Sequence, residues 1–145
     1  QLERSNILDL YAGTGSFGLE CLSRLAKRVY FVENKKTTFE ILEKNIEKLK
    51  IKKKTKIFFD DVFRLIEKQN ILTSKFDLIF CDPPFKNTNI EKLIKLIFNK
   101  NLLKKEGVIL LHRNKNTKDE FPDSFKIVDE RIYGISKIIF GNFLS

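Results

Sequence analysis

The sequence contains no methionine and no tryptophan, and only one histidine, two cysteines, three prolines and six glycines. Each shortage excludes something. Cys21 and Cys81 lie far apart with no C-x-x-C pattern, which argues against a disulfide scaffold and a metal site and makes a reducing, cytoplasmic compartment the default. No Pro/Gly/Ser-rich stretch divides the chain, so residues 1–145 read as one domain. No run of about 18 apolar residues exists to cross a membrane. The start, Gln1-Leu2-Glu3-Arg4, has neither a basic segment nor a following apolar one. A chain without any methionine reads as a piece excised from something longer.

What is present is apolar, aromatic and basic. Hydrophobic residues make up 42% of the chain and include 14 phenylalanines, enough for a real core, so the 32% charged content does not imply disorder. The 28 Lys+Arg exceed the 19 Asp+Glu by 28 − 19, giving a formal charge of +9. Such a surface attracts phosphate backbones by counterion release. Part of the excess is compositional habit, because Lys far outnumbers Arg and nucleic-acid sites favour Arg.

Apolar runs alternate with helical patterns. Ile7–Leu10, Arg28–Val32, Lys56–Phe59, Phe76–Cys81 and Gly107–Leu111 read as strands. Between them, helices are expected over Phe17–Ala26, Thr37–Leu49, Val62–Lys68 and Asn89–Phe98. On the second, Phe39, Leu42, Ile46 and Leu49 share a face, and on the fourth Ile90, Leu93, Ile94 and Ile97 do. Strands apolar on both faces and separated by helices specify an α/β fold, a mostly parallel sheet with helices on both faces. The tail differs: Phe125–Ile132 and Ser136–Phe143 are joined by too few residues for a crossover helix and must be antiparallel.

In an open parallel sheet, ligands bind beyond the carboxyl ends of the strands. The densest Lys run, Lys50 to Lys56, precedes a strand and so lies at the opposite edge, as a solvated loop. The stretch after the first strand, Asp9-Leu10-Tyr11-Ala12-Gly13-Thr14-Gly15-Ser16-Phe17-Gly18, contains G-x-G-x-x-G. Its glycines allow a tight strand-to-helix turn and close backbone approach by a ligand. Glu33, at the end of the second strand, is placed to bind ribose hydroxyls. On these features a nicotinamide cofactor stays possible. Asp9 shifts the balance, since a carboxylate pointing into the crevice repels a pyrophosphate and favours a cationic amine such as that of S-adenosylmethionine; its alternative task is to cap the loop's amides. Of Asp60 and Asp61 at the third strand's end, Asp61 is the better candidate to accept the adenine amine, with a helix N-cap as its competing role.

Asp82-Pro83-Pro84-Phe85 follows the fourth strand. Consecutive prolines fix φ, remove two N–H donors and hold Asp82 extended. Such a rigid rim suits acceptance of an exocyclic amine's hydrogens while Phe85 stacks on the attached ring. Asp82 and a proline-region carbonyl then aim the nitrogen lone pair at a methyl carbon. The base must be unpaired or flipped to enter. Alone, the tetrapeptide could be a strand-ending loop with Phe85 plugging the core; downstream of the glycine loop it reads as a methyl-acceptor site. Lys86, Arg113 and Lys115 follow strands and are candidates for RNA phosphates, Lys86 first, with Lys35 and Lys36 near the ribose end.

These segments together resemble Class I S-adenosylmethionine-dependent amino-group methyltransferases, and more narrowly the bacterial 16S rRNA guanine-N2 methyltransferase family of the RsmD type. The resemblance is carried by Ile7 through Arg24, by Val32-Glu33-Asn34 and by Phe80-Cys81-Asp82-Pro83-Pro84-Phe85, and Tyr133-Gly134 in the tail fits it. It implies a Rossmann-like methyltransferase fold whose seven-stranded sheet has its last strand reversed. It implies S-adenosylmethionine contacts from Asp9, Ala12, Gly13, Thr14, Gly15, Gly18, Glu33, Asn34, Asp61 and Val62, and target-base handling by Asp82, Pro83, Pro84 and Phe85. The implied partner is 16S rRNA within an assembling 30S subunit, methylated at a guanine of the position-966 type by a monomer that needs no metal. Two departures stand out. The fifth strand ends in His112 where the family pattern has a carboxylate, so that group is either dispensable or replaced by a different hydrogen bond. The family's basic segment upstream of the first strand is absent. Rival readings are adenine-N6 or protein-glutamine methylation, a nicotinamide oxidoreductase, and a module that binds cofactor or RNA without turnover.

Overall fold

The computed structural model describes residues 2–68 and 75–144. Seven strands form a single sheet in the order β3-β2-β1-β4-β5-β7-β6. They are β1 Asn6–Asp9, β2 Arg28–Glu33, β3 Thr55–Phe59, β4 Phe76–Cys81, β5 Leu103–Asn114, β6 Phe125–Tyr133 and β7 Ser136–Phe143. The helices are α1 Ser16–Ser23, α2 Lys36–Leu49, α3 Val62–Glu67 and α4 Ile90–Asn99. β1 to β5 pair in parallel, and β7 runs antiparallel to both β5 and β6. The expected α/β architecture, with its reversed C-terminal strand, is the observed one.

The sheet separates two apolar cores. On one side α1 and α2 bury Cys21, Leu22, Leu42 and Ile46 against Ile7, Val29 and Phe31. On the other, α3 and α4 bury Val62, Leu65, Ile66, Leu93, Ile94 and Ile97 against Leu8, Tyr30, Ile79 and Ile109. Alternate residues of β1 and β2 therefore enter opposite cores, which is why these strands are apolar throughout. The α4 face is buried as its spacing requires; on α2 the terminal Leu49 is instead exposed.

Two boundaries differ from the sequence reading. α1 ends at Ser23 rather than continuing to Ala26, because Leu25 turns left-handed with φ 72° and the Ala26 N–H bonds back to the Cys21 carbonyl, 3.0 Å away. Leucine in that position carries no stop signal. β5 is longer at both ends than Gly107–Leu111. Its polar Lys104-Lys105-Glu106 stretch lies within the strand, and pairing of Asn114 with Ser136 of β7 extends it beyond Leu111. His112 and Arg113 thus belong to a strand flanked on both sides, not to a loop.

The order of strands sets a topological switch point. β2 flanks β1 on one side and β4 on the other, so the loops after β1 and β4 diverge to opposite faces and leave a crevice at their carboxyl ends. The exposed 3-10 turn Lys52–Lys54 precedes β3 and lies at the other edge. Gly18 fixes how tightly α1 sits on the sheet: a Cβ there would overlap the Phe31 ring and approach Val29 Cγ1 to 2.9 Å. Gly18→Ala is expected to cost about 1–3 kcal/mol through overpacking. Urea unfolding measures this, and an unchanged midpoint would show that Phe31 can rotate away at no cost.

Candidate active site

A cavity of about 740 Å³ opens at the switch point, walled by residues at the ends of the first four strands: Leu10, Tyr11 and Gly13 after β1, Glu33 at the end of β2 with Asn34 and Lys35 beyond it, Asp60 and Val62 after β3, and Asp82, Pro84 and Phe85 after β4. A second cavity of similar volume, about 720 Å³, lies at the opposite edge between Leu2, Asp77 and Lys104. Volume does not separate the two. Convergence of acidic, glycine and aromatic groups at strand carboxyl ends does.

The glycine loop is held from below and open above. Gly13 has φ 60°, and a Cβ on it would meet nothing within 4 Å, so the space over its backbone is free. Its N–H donates to Glu33 Oε1 at 2.8 Å, while Glu33 Oε2 accepts from the Lys35 N–H at 2.9 Å. One carboxylate therefore braces the loops after β1 and β2 from the cavity wall. Gly15 caps α1 in a left-handed conformation. The Thr14 carbonyl accepts from Asn45 of α2, and Ala12 is buried with its N–H bonded to Val32. Phe17 of α1 stacks on Phe80 of β4 at 3.9 Å, tying the glycine-loop helix to the strand that carries the rim.

Several expected cofactor residues are placed differently. Gly18 lies against Phe31 and Val29, where a Cβ would overlap the Phe31 ring. Asp61 is turned out of the cavity wall: it caps α3, one oxygen accepting from the Arg64 N–H at 3.0 Å. Its neighbour Asp60 lines the cavity instead, bonded to Lys68 at 2.6 Å and close to Arg64. The Lys68 hydrogen bond holds its carboxyl below the ordinary carboxylate range. Adjacent residues near a strand end point opposite ways, so Asp60 lines the cavity while Asp61 takes the N-cap position that was its competing role.

Asp9 does not project into the open crevice. It is 1% exposed, and neither carboxylate oxygen has a hydrogen-bond partner among the described residues. Burial pushes its pKa up to about 7; the nearby Gly18 amide pulls it down, and repulsion from Asp82 and Glu33 raises it further. An unfolded aspartate titrates near 3.9. Between roughly pH 4 and 7 the folded state keeps a proton that the unfolded chain has released, so stability falls as pH rises through that window. Asp9→Asn is expected to flatten the decline. Unfolding free energies of both proteins at pH 5 and pH 8 check this: equal pH dependence would remove Asp9 as its source.

On the β4 side of the cavity, Pro83 is buried, Pro84 is exposed, and Phe85 is 68% exposed on the cavity wall. Phe85 is therefore a free ring at the mouth, not a core plug. Asp82 Oδ1 lies 2.9 Å from His112 Nδ1. This is the different hydrogen bond that the departure at His112 left open, and the sequence offered no signal for it beyond the position of a lone histidine.

Arg113 requires a correction. Expected to meet RNA phosphates, it is 4% exposed and fully engaged. Nε and Nη2 grip Asp119 at 2.8 and 3.0 Å, Nη2 also donates to the Lys86 carbonyl at 2.8 Å, and Nη1 to the Phe85 carbonyl at 3.3 Å. The lengthening of β5 turns this side chain inward. Lys86 and Lys115 are exposed.

The fold and this arrangement of loops define a Rossmann-like S-adenosylmethionine-dependent methyltransferase. The family described as conserved hypothetical protein 95 matches residues 1–142. A ribosomal RNA small subunit methyltransferase D from Haemophilus influenzae is 34% identical over 134 residues, covering 92% of this chain and 69% of the relative. The protein of that description from Buchnera aphidicola subsp. Acyrthosiphon pisum is 31% identical, covering 90% of this chain and 67% of the relative. A solved protein from Haemophilus influenzae superposes with a TM-score of 0.86 at 32% identity, over 99% of this chain and 89% of that one. The chain belongs to this family, the ribosomal RNA small subunit methyltransferase D proteins.

Proposed function

We propose that the protein transfers a methyl group from S-adenosylmethionine to the exocyclic N2 amine of a guanine in small-subunit rRNA. One observation carries the reading: a single cavity joins the loop after β1, with open space over Gly13 and the Glu33 brace, to the Asp82–Phe85 rim after β4. A methyl donor and an amine acceptor can therefore share one space. The described residues fit the donor. Glu33, Asn34 and Val62 supply the wall for a nucleoside, and Asp9, buried behind the cavity-lining Leu10 with no hydrogen-bond partner among the described residues, favours a cationic amine by its charge rather than by direct contact. If a cation binds beside Asp9, the carboxyl gives up its proton. Calorimetry in buffers of different ionisation enthalpy near pH 7 should then report proton release on cofactor binding, and no release would place the amine elsewhere.

S-adenosylmethionine, when bound, supplies an electrophilic methyl group on a sulfonium. The protein's residues bind and orient. Asp82 accepts a hydrogen of the amine, favouring an sp³-like nitrogen, and a carbonyl of the proline region accepts the other. Pro83 and Pro84 offer no N–H to compete for these acceptors. The exposed Phe85 ring stacks on the base once it leaves its helix. Lys86 and Lys115, exposed near the rim, contact phosphates, and the substrate is RNA in an assembling 30S particle.

Labelled methyl transfer to naked 16S rRNA, to free ribosomal protein and to unmodified 30S particles, followed by nucleoside analysis, tests the reading. Recovery of N2-methylguanosine supports it. Recovery of N6-methyladenosine or of label in protein sinks it, and cofactor binding with no transfer to any acceptor identifies a binding module instead.

A further inference from the structure

A strand-end aspartate can have its carboxylate held by the backbone N–H two residues on, as in an Asx-turn. At Asp82 the next two residues are prolines, which have no N–H. The rigidity that makes the rim useful thus removes the donors that would aim its carboxylate. Among the described residues one hydrogen bond reaches that carboxylate, from His112 at 2.9 Å.

The donor is well supported. β5 lies between β4 and β7, with Leu111 opposite Cys81 and His112 opposite Ile138, so the register carries His112 alongside Asp82. A residue held in a strand, one position beyond the Cys81–Leu111 pair and itself paired with Ile138, holds its partner more accurately than one on a loop. An ionised carboxylate can only accept, so in the pair it is Nδ1 that carries a proton and donates. Asp82 Oδ1 is then occupied, and Oδ2 is left for the substrate amine.

We infer that His112 is a positioning residue for methyl transfer: it donates Nδ1–H to Asp82 Oδ1 and so aims Oδ2 at the amine, without touching substrate. The inference rests on the reading of Asp82 as the amine acceptor. His112→Ala leaves the carboxylate free to rotate among its rotamers. Misalignment of a reacting group is costly, and turnover should fall roughly tenfold or more. His112→Asn places an amide N–H close to where the imidazole Nδ1–H was, and should restore most of the loss. An imidazole that moved protons would not be replaced by an amide.

The experiment has two arms on the whole chain. The first is NMR of the imidazole, unambiguous because the chain has one histidine. The Nδ1–H tautomer is expected in the unmodified sequence, and reversion to the Nε2–H tautomer in Asp82→Ala; an Nε2–H tautomer from the outset overturns the inference whatever the substrate is. The second is turnover on unmodified 30S particles, with kcat and KM for cofactor separated. His112→Ala should lower kcat and leave KM for cofactor within about twofold, with rescue by His112→Asn. Near-normal kcat in His112→Ala beside an inactive Asp82→Ala overturns the role of His112 alone. Equal loss in the alanine and asparagine variants overturns positioning. Near-normal kcat in Asp82→Ala overturns the acceptor reading and this inference with it.

Discussion

Asp82→Ala is expected to lower turnover by roughly 10²- to 10⁴-fold while cofactor affinity stays nearly unchanged. The separation follows from where the side chain sits. Asp82 occupies the rim after β4, across the cavity from the loops after β1 and β2 that enclose the cofactor region. On the proposed reading, removing it deletes an acceptor for the amine without altering Gly13, its Glu33 brace or Val62. The prolines that follow cannot substitute, because neither has an N–H and both hold the chain extended. Asp82→Asn keeps one acceptor oxygen and should fall between the two. Single-turnover methyl transfer together with equilibrium cofactor binding checks the result; a variant that turns over at a near-normal rate takes Asp82 out of the machinery.

Arg113→Met should be the most destabilising single change at the site. The guanidinium and its partner Asp119 have side-chain exposures of 3% and 8%, so the variant strands a buried carboxylate. It also strips the Phe85 and Lys86 carbonyls of their donor. Breaking a buried pair from one side costs about 3–5 kcal/mol, on the order of a 10 °C fall in melting temperature for a domain of this size. Replacing both partners removes the orphaned charge, so Arg113→Met combined with Asp119→Leu should recover much of the loss. Thermal and urea unfolding of the single and double variants measure this. A single variant within about 1 kcal/mol of the unmodified protein would mean that Asp119 finds another partner or water.

The parts of the fold legible in sequence were those encoded over a few neighbouring residues. α4 follows from Ile90, Leu93, Ile94 and Ile97, with Asn89 capping the Lys92 N–H at 3.0 Å. β4 follows from its apolar run, and the rigidity of the rim from two adjacent prolines. The end of α1 was not legible, since a left-handed leucine terminates it and leucine is among the better helix formers. Nor was the length of β5: Lys104-Lys105-Glu106 has the composition of a loop and sits at an irregularity between the Phe76–Leu103 and Leu78–Val108 pairs, which hold it within the strand. The placement of Asp60 and Asp61 has a similar cause, because two adjacent aspartates are equivalent in sequence until the strand's pleat turns one inward.

Which chemistry is available follows from residue types alone. Glycines that permit close approach, a strand-end acid and an acceptor before two prolines are properties of residue types at fixed short spacings. Which of these groups meet depends on how the strands assemble. β1 lies beside β4 rather than at an edge, a non-local pairing illustrated by the Asn6 N–H bonding to Asp77, 71 residues away. That adjacency brings the glycine loop and the acceptor rim to one cavity. The register of β5 then sets His112 against Asp82 and buries Arg113, turning one expected RNA contact into a strut for the rim. Strand order and register are fixed by pairing and burial across the whole sheet, and no local pattern encodes either.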